Sequence, residues 1–316
     1  MAILEFEKPI YQIEEKIQEL RDLGEKNSAG ISPEIKRLHK KLEQLKKEIY
    51  GKLTVWQRIQ VARHPDRPYM LDYVRAMMTD FVELHGDRQF ADDFAMLAGF
   101  AMFEGEKVMV IGQQKGRDTN ENIKRNFGCA HPEGYRKAMR MMRLAEKFHV
   151  PILVFVDTPG AYPGVGAEER GQAQAIAENL RDMMLIKTPI IATVIGEGGS
   201  GGALGIGVAD RVFILQHAYY SVISPEGCAS ILWRNAVKAP DAAEALKLMG
   251  EDLVKFKVID GIIPEPSGGA HRDPELVCSG MRKSFLENLA ALKALSTQDL
   301  LDKRYQRFRQ IGEFIE

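Results

Sequence analysis

Two glycine-rich segments contain the residues of this chain that are best suited to chemistry. Residues 157–166 read DTPGAYPGVG, and residues 196–202 read GEGGSGG. Each segment follows an apolar run and precedes a helical pattern, so each is predicted to lie where a strand ends and a helix begins. Ligands of parallel α/β sheets bind at that edge. We therefore expect the functional site at these two segments.

The glycines of the second segment favour the binding of an anion. Glycine tolerates positive φ and lets successive backbone N–H groups approach one ligand. At the start of a helix these donors add to the positive end of the helix dipole. If the anion forms only during a reaction, the site is an oxyanion hole that contributes about 3 to 4 kcal/mol per donor. The pairs Gly198-Gly199 and Gly201-Gly202 flank Ser200, which is more glycine than packing alone predicts.

Two nucleotide-binding motifs are matched only in part. DTPG at residues 157–160 is typical of GTPases, but the chain has no GxxxxGK[ST] loop to hold phosphates. Residues 196–201 match the GxGxxG fingerprint of dinucleotide-binding proteins. The strand predicted after them ends at Gln216 and not at an acid that could bind a ribose. Neither nucleotide-binding interpretation has the supporting residues that it needs.

A serine hydrolase is the rival interpretation. Gly198, Ser200 and Gly202 match the GxSxG pattern of a nucleophile elbow. The chain order Ser200, Asp260, His271 also suits a hydrolase triad. These residue types are so common that their order alone is weak evidence. The motif leaves a hydrolase open without favouring it.

The elements around these segments predict an α/β sheet. Residues 95–103 and 107–112 are predicted to form a β-hairpin. Further strands are predicted at residues 151–156, 189–195 and 212–215, and helices at 135–148, 171–184 and 201–208. From residue 241 onward the pattern indicates helices, with one short strand near residues 258–263. Strands that alternate with helices in this way predict a largely parallel sheet with right-handed crossovers.

The first fifty residues predict a helical hairpin. Apolar residues recur there at helical spacing, in two stripes: Ile10, Ile13, Ile17 and Leu20, then Leu38, Leu42, Leu45 and Ile49. A polar turn at residues 24–30 separates them, and Ser32-Pro33 is typical of a helix start. The hairpin could clamp the core of its own chain or serve as a dimerisation arm, since either role needs one apolar face.

Composition indicates a soluble protein of a reducing compartment. The net charge of -1 gives no support for nucleic-acid or membrane binding through bulk electrostatics. Three scattered cysteines, Cys129, Cys228 and Cys278, form no CxxC pair and indicate neither disulfides nor zinc. The acidic N-terminus does not resemble a secretory signal, and no apolar run reaches the roughly 18 residues of a membrane helix. We expect a cytoplasmic protein.

The chain resembles the α subunit of the heteromeric acetyl-CoA carboxylase carboxyltransferase of bacteria and plastids, from about Phe6 to Phe308. The blocks that carry the resemblance are residues 62–65, 67–69, 112–117, 125–128, 132–138, 157–171, 194–203, 221–233 and 263–266. The resemblance implies a crotonase-like ββα superhelix with an N-terminal helical hairpin. We expect a helical extension at residues 1–52, a carboxyltransferase domain at 53–295 and a C-terminal tail at 296–316.

The resemblance also implies an activity shared between subunits. A β subunit with a zinc ribbon would complete an α2β2 assembly, and this chain would bind no metal. Carboxybiotin would arrive on the biotin carboxyl carrier protein after an ATP-dependent biotin carboxylase has charged it. Transfer of its carboxyl group to acetyl-CoA would give malonyl-CoA for fatty-acid synthesis.

The resemblance places the ureido oxygen of carboxybiotin on the backbone N–H groups of Gly201 and Gly202, and makes Ser200 a turn residue. The oxygen of the acetyl-CoA enolate would belong to the β subunit. Residues expected to line the substrate site are Gly198, Gly199, Asp157, Gly160, Tyr162 and Gly164.

Several side chains keep two interpretations. Asp157 could brace the first segment or touch biotin, and Tyr162 could stack on a ligand or pack. Glu197 is expected to point away or to form a structural ion pair. His64 is expected to brace a turn, and Lys124 with Arg125 could attract CoA phosphates or lie on a solvated surface. Arg234 and Lys238 have no assigned role.

Overall fold

The computed structural model describes residues 3–24 and 32–312. The strands in this part of the chain are β1 (Thr79–Glu83), β2 (Met96–Phe103), β3 (Glu106–Gln113), β4 (Ile152–Thr158), β5 (Ile190–Gly199), β6 (Arg211–Leu215), β7 (Tyr219–Ser221) and β8 (Gly261–Ile263). The α-helices are α1 (Lys8–Gly24), α2 (Ser32–Tyr50), α3 (Val55–Ala62), α4 (Met70–Met77), α5 (Thr119–Lys124), α6 (Pro132–Lys147), α7 (Val165–Glu169), α8 (Gln172–Met183), α9 (Ser200–Gly207), α10 (Pro225–Trp233), α11 (Ala239–Leu246), α12 (Gly250–Lys255), α13 (Pro274–Lys293) and α14 (Thr297–Arg309).

The strands form one mixed sheet in the order β1-β2-β3-β4-β5-β6-β8, with β7 added to the end of β5. The hairpin of β2 and β3 is antiparallel, as predicted. Its turn residues Glu104 and Gly105 both have positive φ, which matches the right-handed twist of the strands. From β3 to β8 all neighbouring strands are parallel. The sequence prediction of a largely parallel sheet is confirmed.

The centre of the sheet is buried on both faces. Every residue of β4 and β5 is buried, as continuous apolar strands of parallel sheets are. Helices α6, α8 and α9 pack together, and α6 and α9 contact the central strands. Phe155 of β4 lies against Tyr73 of α4 and Phe285 of α13, with ring centroids 6.3 and 6.0 Å apart. These contacts fix the ends of β4 and β5, where the glycine-rich segments begin.

The N-terminal hairpin packs on itself and touches the body of the same chain. Ile10, Ile17, Leu38 and Leu42 are its buried apolar residues. Glu14 pairs with Arg272 at 3.3 Å, and the ring of Tyr50 lies 6.2 Å from that of His217. The polar turn predicted at residues 24–30 lies, apart from residue 24, outside the described residues. The contacts agree with a clamp on the core, and a second role in assembly stays a prediction.

The segment beyond residue 295 contains a helix anchored in the core. Ser296 caps α14 by accepting a hydrogen bond from the N–H of Asp299. Arg304 is buried and forms a bidentate pair with Asp210, with N···O distances of 2.8 and 2.7 Å. Its remaining donors reach the carbonyls of Met183, Ile186 and Thr188. Each donor of this buried charge has an acceptor, which is what makes its burial tolerable. The domain boundaries themselves stay a prediction.

Acid should destabilise the contact between the hairpin and the body through His217. Burial lowers the pKa of this histidine from 6.5 to about 4, so the unfolded chain binds its proton at higher pH than the folded chain. Stability is therefore lost as the pH falls from 6.5 toward 4. Between about pH 7 and pH 5, we expect the free energy of unfolding of wild type to fall by about 2 kcal/mol more than that of His217→Gln. Urea unfolding at the two pH values measures both changes.

The exposed residue His149 provides the control, because His149→Asn removes a histidine without changing a buried contact. Parallel pH dependences of wild type and His217→Gln would contradict the assignment to His217.

Candidate active site

The two glycine-rich segments meet at an irregularity between β4 and β5. Val156 pairs with Val194 and Thr158 pairs with Gly198, so residues 195–197 lie opposite Asp157 alone. A bulge of this kind interrupts the backbone ladder and re-aims the side chains beside it. It occurs where we expected the functional site.

Buried side chains satisfy the backbone groups around this bulge. The N–H of Asp157 donates to Gln113 Oε1 at 3.1 Å, and the N–H of Glu197 donates to Asp157 Oδ1 at 3.0 Å. The carbonyl of Ile195 accepts a hydrogen bond from Arg67 Nε at 2.8 Å. An unpaired buried group of this kind costs about 1 to 3 kcal/mol. These side chains therefore hold the irregular backbone in place.

A chain of charged groups lies beneath the bulge. Lys115 Nζ is 2.7 Å from Asp157 Oδ1 and 2.8 Å from Glu197 Oε1. The second oxygen of Glu197 accepts from Arg63 Nε at 2.8 Å and from the hydroxyl of Tyr219 at 2.6 Å. Asp157 thus braces the first segment, and Glu197 is in the structural ion pair that was one of its two expected roles. Contact of Asp157 with a substrate stays a prediction.

The charges of Lys115 and Glu197 are fixed at neutral pH. Burial by itself would raise the pKa of Glu197, but attraction to Lys115 and Arg63 outweighs it and lowers that pKa to about 2. Burial would lower the pKa of Lys115, but Asp157 and Glu197 outweigh it and raise that pKa. Burial and the charge of Glu197 together raise the pKa of Tyr219. None of these groups has a pKa near 7, where a general acid or base works best.

The glycines of the second segment bring the two segments into contact. A Cβ atom on Gly199 would lie 2.1 Å from the carbonyl oxygen of Pro159, and one on Gly202 would lie 2.4 Å from the carbonyl carbon of Gly160. Backbone atoms cannot yield at such distances as the end of a flexible side chain can. Packing therefore requires both glycines.

The positive φ that we expected of these glycines occurs at Ser200 instead. Ser200 has φ of 49°, whereas no glycine from 196 to 202 has positive φ. Strand β5 continues through Gly199, so most of the predicted turn is strand and Ser200 alone makes the bend into α9. A Cβ on Gly201 would meet only the Ile176 side chain, at 3.4 Å or more. Gly201 is thus required neither by close packing nor by φ.

The arrangement leaves the first turn of α9 able to bind an anion. Its opening residues, Ser200 to Gly202, carry N–H groups with no carbonyl four residues back within the helix. These donors stand at the positive end of the helix dipole. Gly160 of the first segment lies directly against Gly202. The structure therefore brings Gly160, Gly199 and Gly202 together with Asp157, and their contact with a substrate stays a prediction.

Tyr162 and Gly164 lie further along the first segment. The ring of Tyr162 stacks on His131 at a centroid distance of 4.1 Å, and its carbonyl accepts from Gln172 Nε2 at 3.0 Å. Gly164 precedes α7, where a Cβ would be 2.4 Å from the Tyr162 ring. Packing thus accounts for Tyr162 in this structure, and its contact with a ligand stays a prediction.

The hydrolase interpretation is wrong for this chain. Asp260 accepts hydrogen bonds from the N–H of Val212 and from Arg307 Nε, at 2.7 and 2.9 Å. His271 stacks on His64 with ring centroids 3.9 Å apart, and burial lowers its pKa to about 3. Neither ring nitrogen of His271 has a hydrogen-bond partner among the described residues. The three groups of a triad are therefore not assembled.

The remaining single residues mostly have structural contacts. His64 Nδ1 accepts from the N–H of Asp66 at 3.1 Å, as expected of a residue that braces a turn. Arg125 pairs with Glu121 at 2.9 Å, while Lys124 lies over the Phe94 ring at 4.8 Å. Near the end of α10, Lys238 lies over the Trp233 ring and Arg234 adopts φ of 53° as the helix ends.

Sequence reasoning missed the polar residues that support the site. Gln113 and Lys115 lie within a block of the family resemblance, but their residue types and spacing predict no role. The same holds for Arg63, whose partners Glu197 and Tyr219 are more than a hundred residues away. Polar residues directly after a buried strand were the available signal, but their partners depend on the tertiary fold.

Residues 3–24 and 32–312 contain neither a cluster of metal-binding side chains nor a membrane-spanning helix. No group of three or more His, Cys, Asp or Glu side chains is arranged there to hold a metal ion. None of the helices described there combines the length and the apolar character that crossing a membrane requires. The expectation that this chain binds no zinc stays a prediction.

The solved structures that resemble this chain share its fold at low sequence identity. The transcarboxylase 12S core matches with a TM-score of 0.53 and 20% identity over 69% of this chain and 42% of its own. The geranyl-CoA carboxylase β subunit of P. aeruginosa matches with a TM-score of 0.55 and 16% identity, over 76% of this chain and 45% of its own. A chain of a Pseudomonas malonate decarboxylase hetero-tetramer in complex with coenzyme A matches with a TM-score of 0.54 and 18% identity, over 68% of this chain and 87% of its own.

This chain spans less than half the length of the transcarboxylase and geranyl-CoA carboxylase chains. The likeness confirms the crotonase-like α/β fold that the sequence resemblance implied.

The sequence comparisons are much closer. The family model described as acetyl co-enzyme A carboxylase carboxyltransferase-like matches residues 3–312. The acetyl-coenzyme A carboxylase carboxyl transferase subunit alpha of Thiobacillus denitrificans is 58% identical, over 100% of this chain and 98% of its own length. That of Thermus thermophilus is 55% identical, over 99% of each chain. The chain therefore belongs to the family of acetyl-CoA carboxylase carboxyltransferase α subunits and is one component of a transferase.

Proposed function

We propose that this chain binds the ureido oxygen of carboxybiotin through the N–H groups of Gly201 and Gly202 while the carboxyl group leaves for acetyl-CoA. The observation that carries the proposal is the position of α9, whose first turn is pressed by Gly202 against Gly160. Breaking the N–CO2 bond places negative charge on the ureido oxygen. Donors fixed in advance at a helix start stabilise such a charge without reorganisation.

The network beneath the site supports binding and not proton transfer. Lys115 stays protonated and Glu197 stays ionised, because each is held by the other's charge. We propose that no side chain of this network removes the methyl proton of acetyl-CoA. The ureido anion released from carboxybiotin can accept that proton, so the two halves of the reaction are coupled.

A β subunit completes the site in this proposal. Two oxyanions form in the reaction, and this chain supplies donors for one of them. The curated relatives bear the name subunit alpha, which agrees with a multi-subunit enzyme. We propose an α2β2 assembly that receives carboxybiotin from the biotin carboxyl carrier protein, which biotin carboxylase charges, and that forms malonyl-CoA in the cytoplasm. Biotin is then a substrate group on the carrier, and this chain itself holds no metal.

The purified chain alone is expected to catalyse no decarboxylation of malonyl-CoA with biocytin, the reverse half-reaction. Mixing with the β subunit should restore turnover, because only the assembly holds both oxyanion sites. A coupled assay for acetyl-CoA, run with each subunit alone and with the mixture, measures this. Comparable turnover by the lone chain would contradict the shared site.

A further inference from the structure

We propose that Gln113 is a positioning residue for the oxyanion site, which holds the first turn of α9 against the end of β4. This inference rests on the proposed function, since it assigns Gln113 to the donors that Gly201 and Gly202 would supply. Gln113 does not reach the reacting atoms itself in this proposal. It acts through the backbone on either side of it.

One side-chain amide joins both segments of the site. Gln113 is the last residue of β3 and is 0% exposed. Its Nε2 donates to the carbonyl oxygen of Gly202 at 2.9 Å, and its Oε1 accepts from the N–H of Asp157 at 3.1 Å. The last paired residues of β3 and β4 are Gly112 and Phe155. Beyond this pair, the hydrogen bond of the Gln113 side chain to the N–H of Asp157 connects the two strands.

The chemistry of the two partners requires a side chain that both donates and accepts, as an amide does. A carbonyl can only accept, and a backbone N–H can only donate, so the residue between them needs one donor and one acceptor. Ionised glutamate keeps the acceptor and loses the donor, and methionine loses both. The requirement also fixes which end of the Gln113 amide faces α9.

The bond to Gly202 controls a position that matters for binding. Gly202 has the backbone of Gly160 on one side, so α9 cannot move closer to the first segment. The bond from Gln113 opposes movement in other directions. Donors of an oxyanion hole act only when they point at the developing charge, and small displacements weaken them strongly. Gln113 therefore sets the site through distance and orientation.

The next residue offers a matched control. Gln114 is also buried, at 5% exposure. Its Oε1 accepts from the N–H of Leu71 and its Nε2 donates to the carbonyl of Lys115, both at 2.9 Å. It thus makes the same two kinds of bond to backbone, but neither reaches α9 or β4. Loss of Gln114 reports the structural cost of losing a buried amide.

The experiment compares Gln113→Met with Gln114→Met in the assembled enzyme with the β subunit. For Gln113→Met we expect kcat for biocytin-dependent decarboxylation of malonyl-CoA to fall by about tenfold or more, with KM for malonyl-CoA within about twofold. For Gln114→Met we expect kcat within about twofold of wild type. Amide hydrogen exchange at residues 200–206 should become faster in Gln113→Met only.

Gln113→Glu removes the N–H donor to the Gly202 carbonyl and keeps the size of the side chain, so it tests the contribution of that donor. Asp157, whose N–H donates to Gln113 Oε1, is a charged neighbour, and its carboxylate pairs with Lys115, which also pairs with Glu197. At high pH the carboxylate cannot donate to Gly202, so activity should be low, whereas protonation at lower pH restores a donor and should restore activity relative to wild type. This variant also decides the matter if Gln113→Met does not fold.

Equal losses of kcat in the two Met variants, or unchanged exchange at residues 200–206 in Gln113→Met, would overturn the proposal. The exchange measurement needs no turnover. If wild-type assembly were inactive in the decarboxylation assay, the proposed function would fail, while exchange would still report whether Gln113 holds α9.

Discussion

Gly202→Ala is expected to lower kcat of the assembled carboxyltransferase by about a hundredfold or more. The new methyl group would lie 2.4 Å from the carbonyl carbon of Gly160 and 2.7 Å from the N–H nitrogen of Ala161. Both obstacles are backbone, so α9 or the first glycine-rich segment must move. Either movement turns a donor of the oxyanion site away from the charge that it stabilises.

Gly205→Ala is the control for the steric effect alone. It lies one turn later in α9, where a Cβ would meet the Tyr135 ring at 2.6 Å. Both substitutions crowd the same helix and should lower the free energy of unfolding by about 1 to 3 kcal/mol. Only Gly202→Ala also displaces the N–H groups at the start of the helix. The two variants therefore separate a loss of catalysis from a loss of stability.

Activity of the β-subunit complex and thermal unfolding of each variant measure the two effects. A Gly202→Ala enzyme that assembles and keeps kcat within about threefold of wild type would refute the role assigned to this turn. So would an equal loss of kcat in Gly205→Ala at the same thermal stability.

Where the hydrophobic pattern was strong, the sequence was sufficient to predict the central strands and the largely parallel sheet. Residues 151–156 are continuously apolar and form a central parallel strand, as predicted. Strand β1 was missed because it is an edge strand whose residues TDFVE are mostly exposed and show no apolar alternation. Helices α3, α4 and α5 are only six to eight residues long and lack a long periodic pattern. Local pattern is weak evidence for such short elements.

The second glycine-rich segment illustrates how tertiary contacts override local preference. Glycine disfavours strands, so we placed residues 196–199 in a turn. In the structure these residues extend β5, because β7 pairs with residues 197–199 and the Asp157 carboxylate accepts a hydrogen bond from the N–H of Glu197. A functional site at the two glycine-rich segments stays a prediction, and the side chains that support these segments come from strands and helices distant in the chain. Their contacts are set by topology, which residue types alone do not encode.

Lys115→Met is expected to destabilise the folded chain by about 3 to 5 kcal/mol, since removing one member of a buried ion pair leaves charge without compensation. Asp157 and Glu197 both face Lys115 Nζ, at 2.7 and 2.8 Å. Urea unfolding of wild type and variant measures the difference. Lys124→Met, which removes an exposed lysine lying over Phe94, should cost less than about 1 kcal/mol.

The pH dependence of this loss identifies its cause. In wild type the pKa of Glu197 is lowered from 4.5 to about 2, so its stabilisation is complete above 4.5 and is lost as the pH falls toward 2. Without Lys115 the pKa is lowered less, so the deficit of Lys115→Met should be largest near neutral pH and should narrow as the pH falls. Adding Asp157→Asn to Lys115→Met removes a carboxylate that Lys115 no longer neutralises and should recover part of the lost stability. A deficit that is constant with pH and unchanged by Asp157→Asn would mean that Lys115 stabilises the site through packing of its alkyl chain and not through its charge.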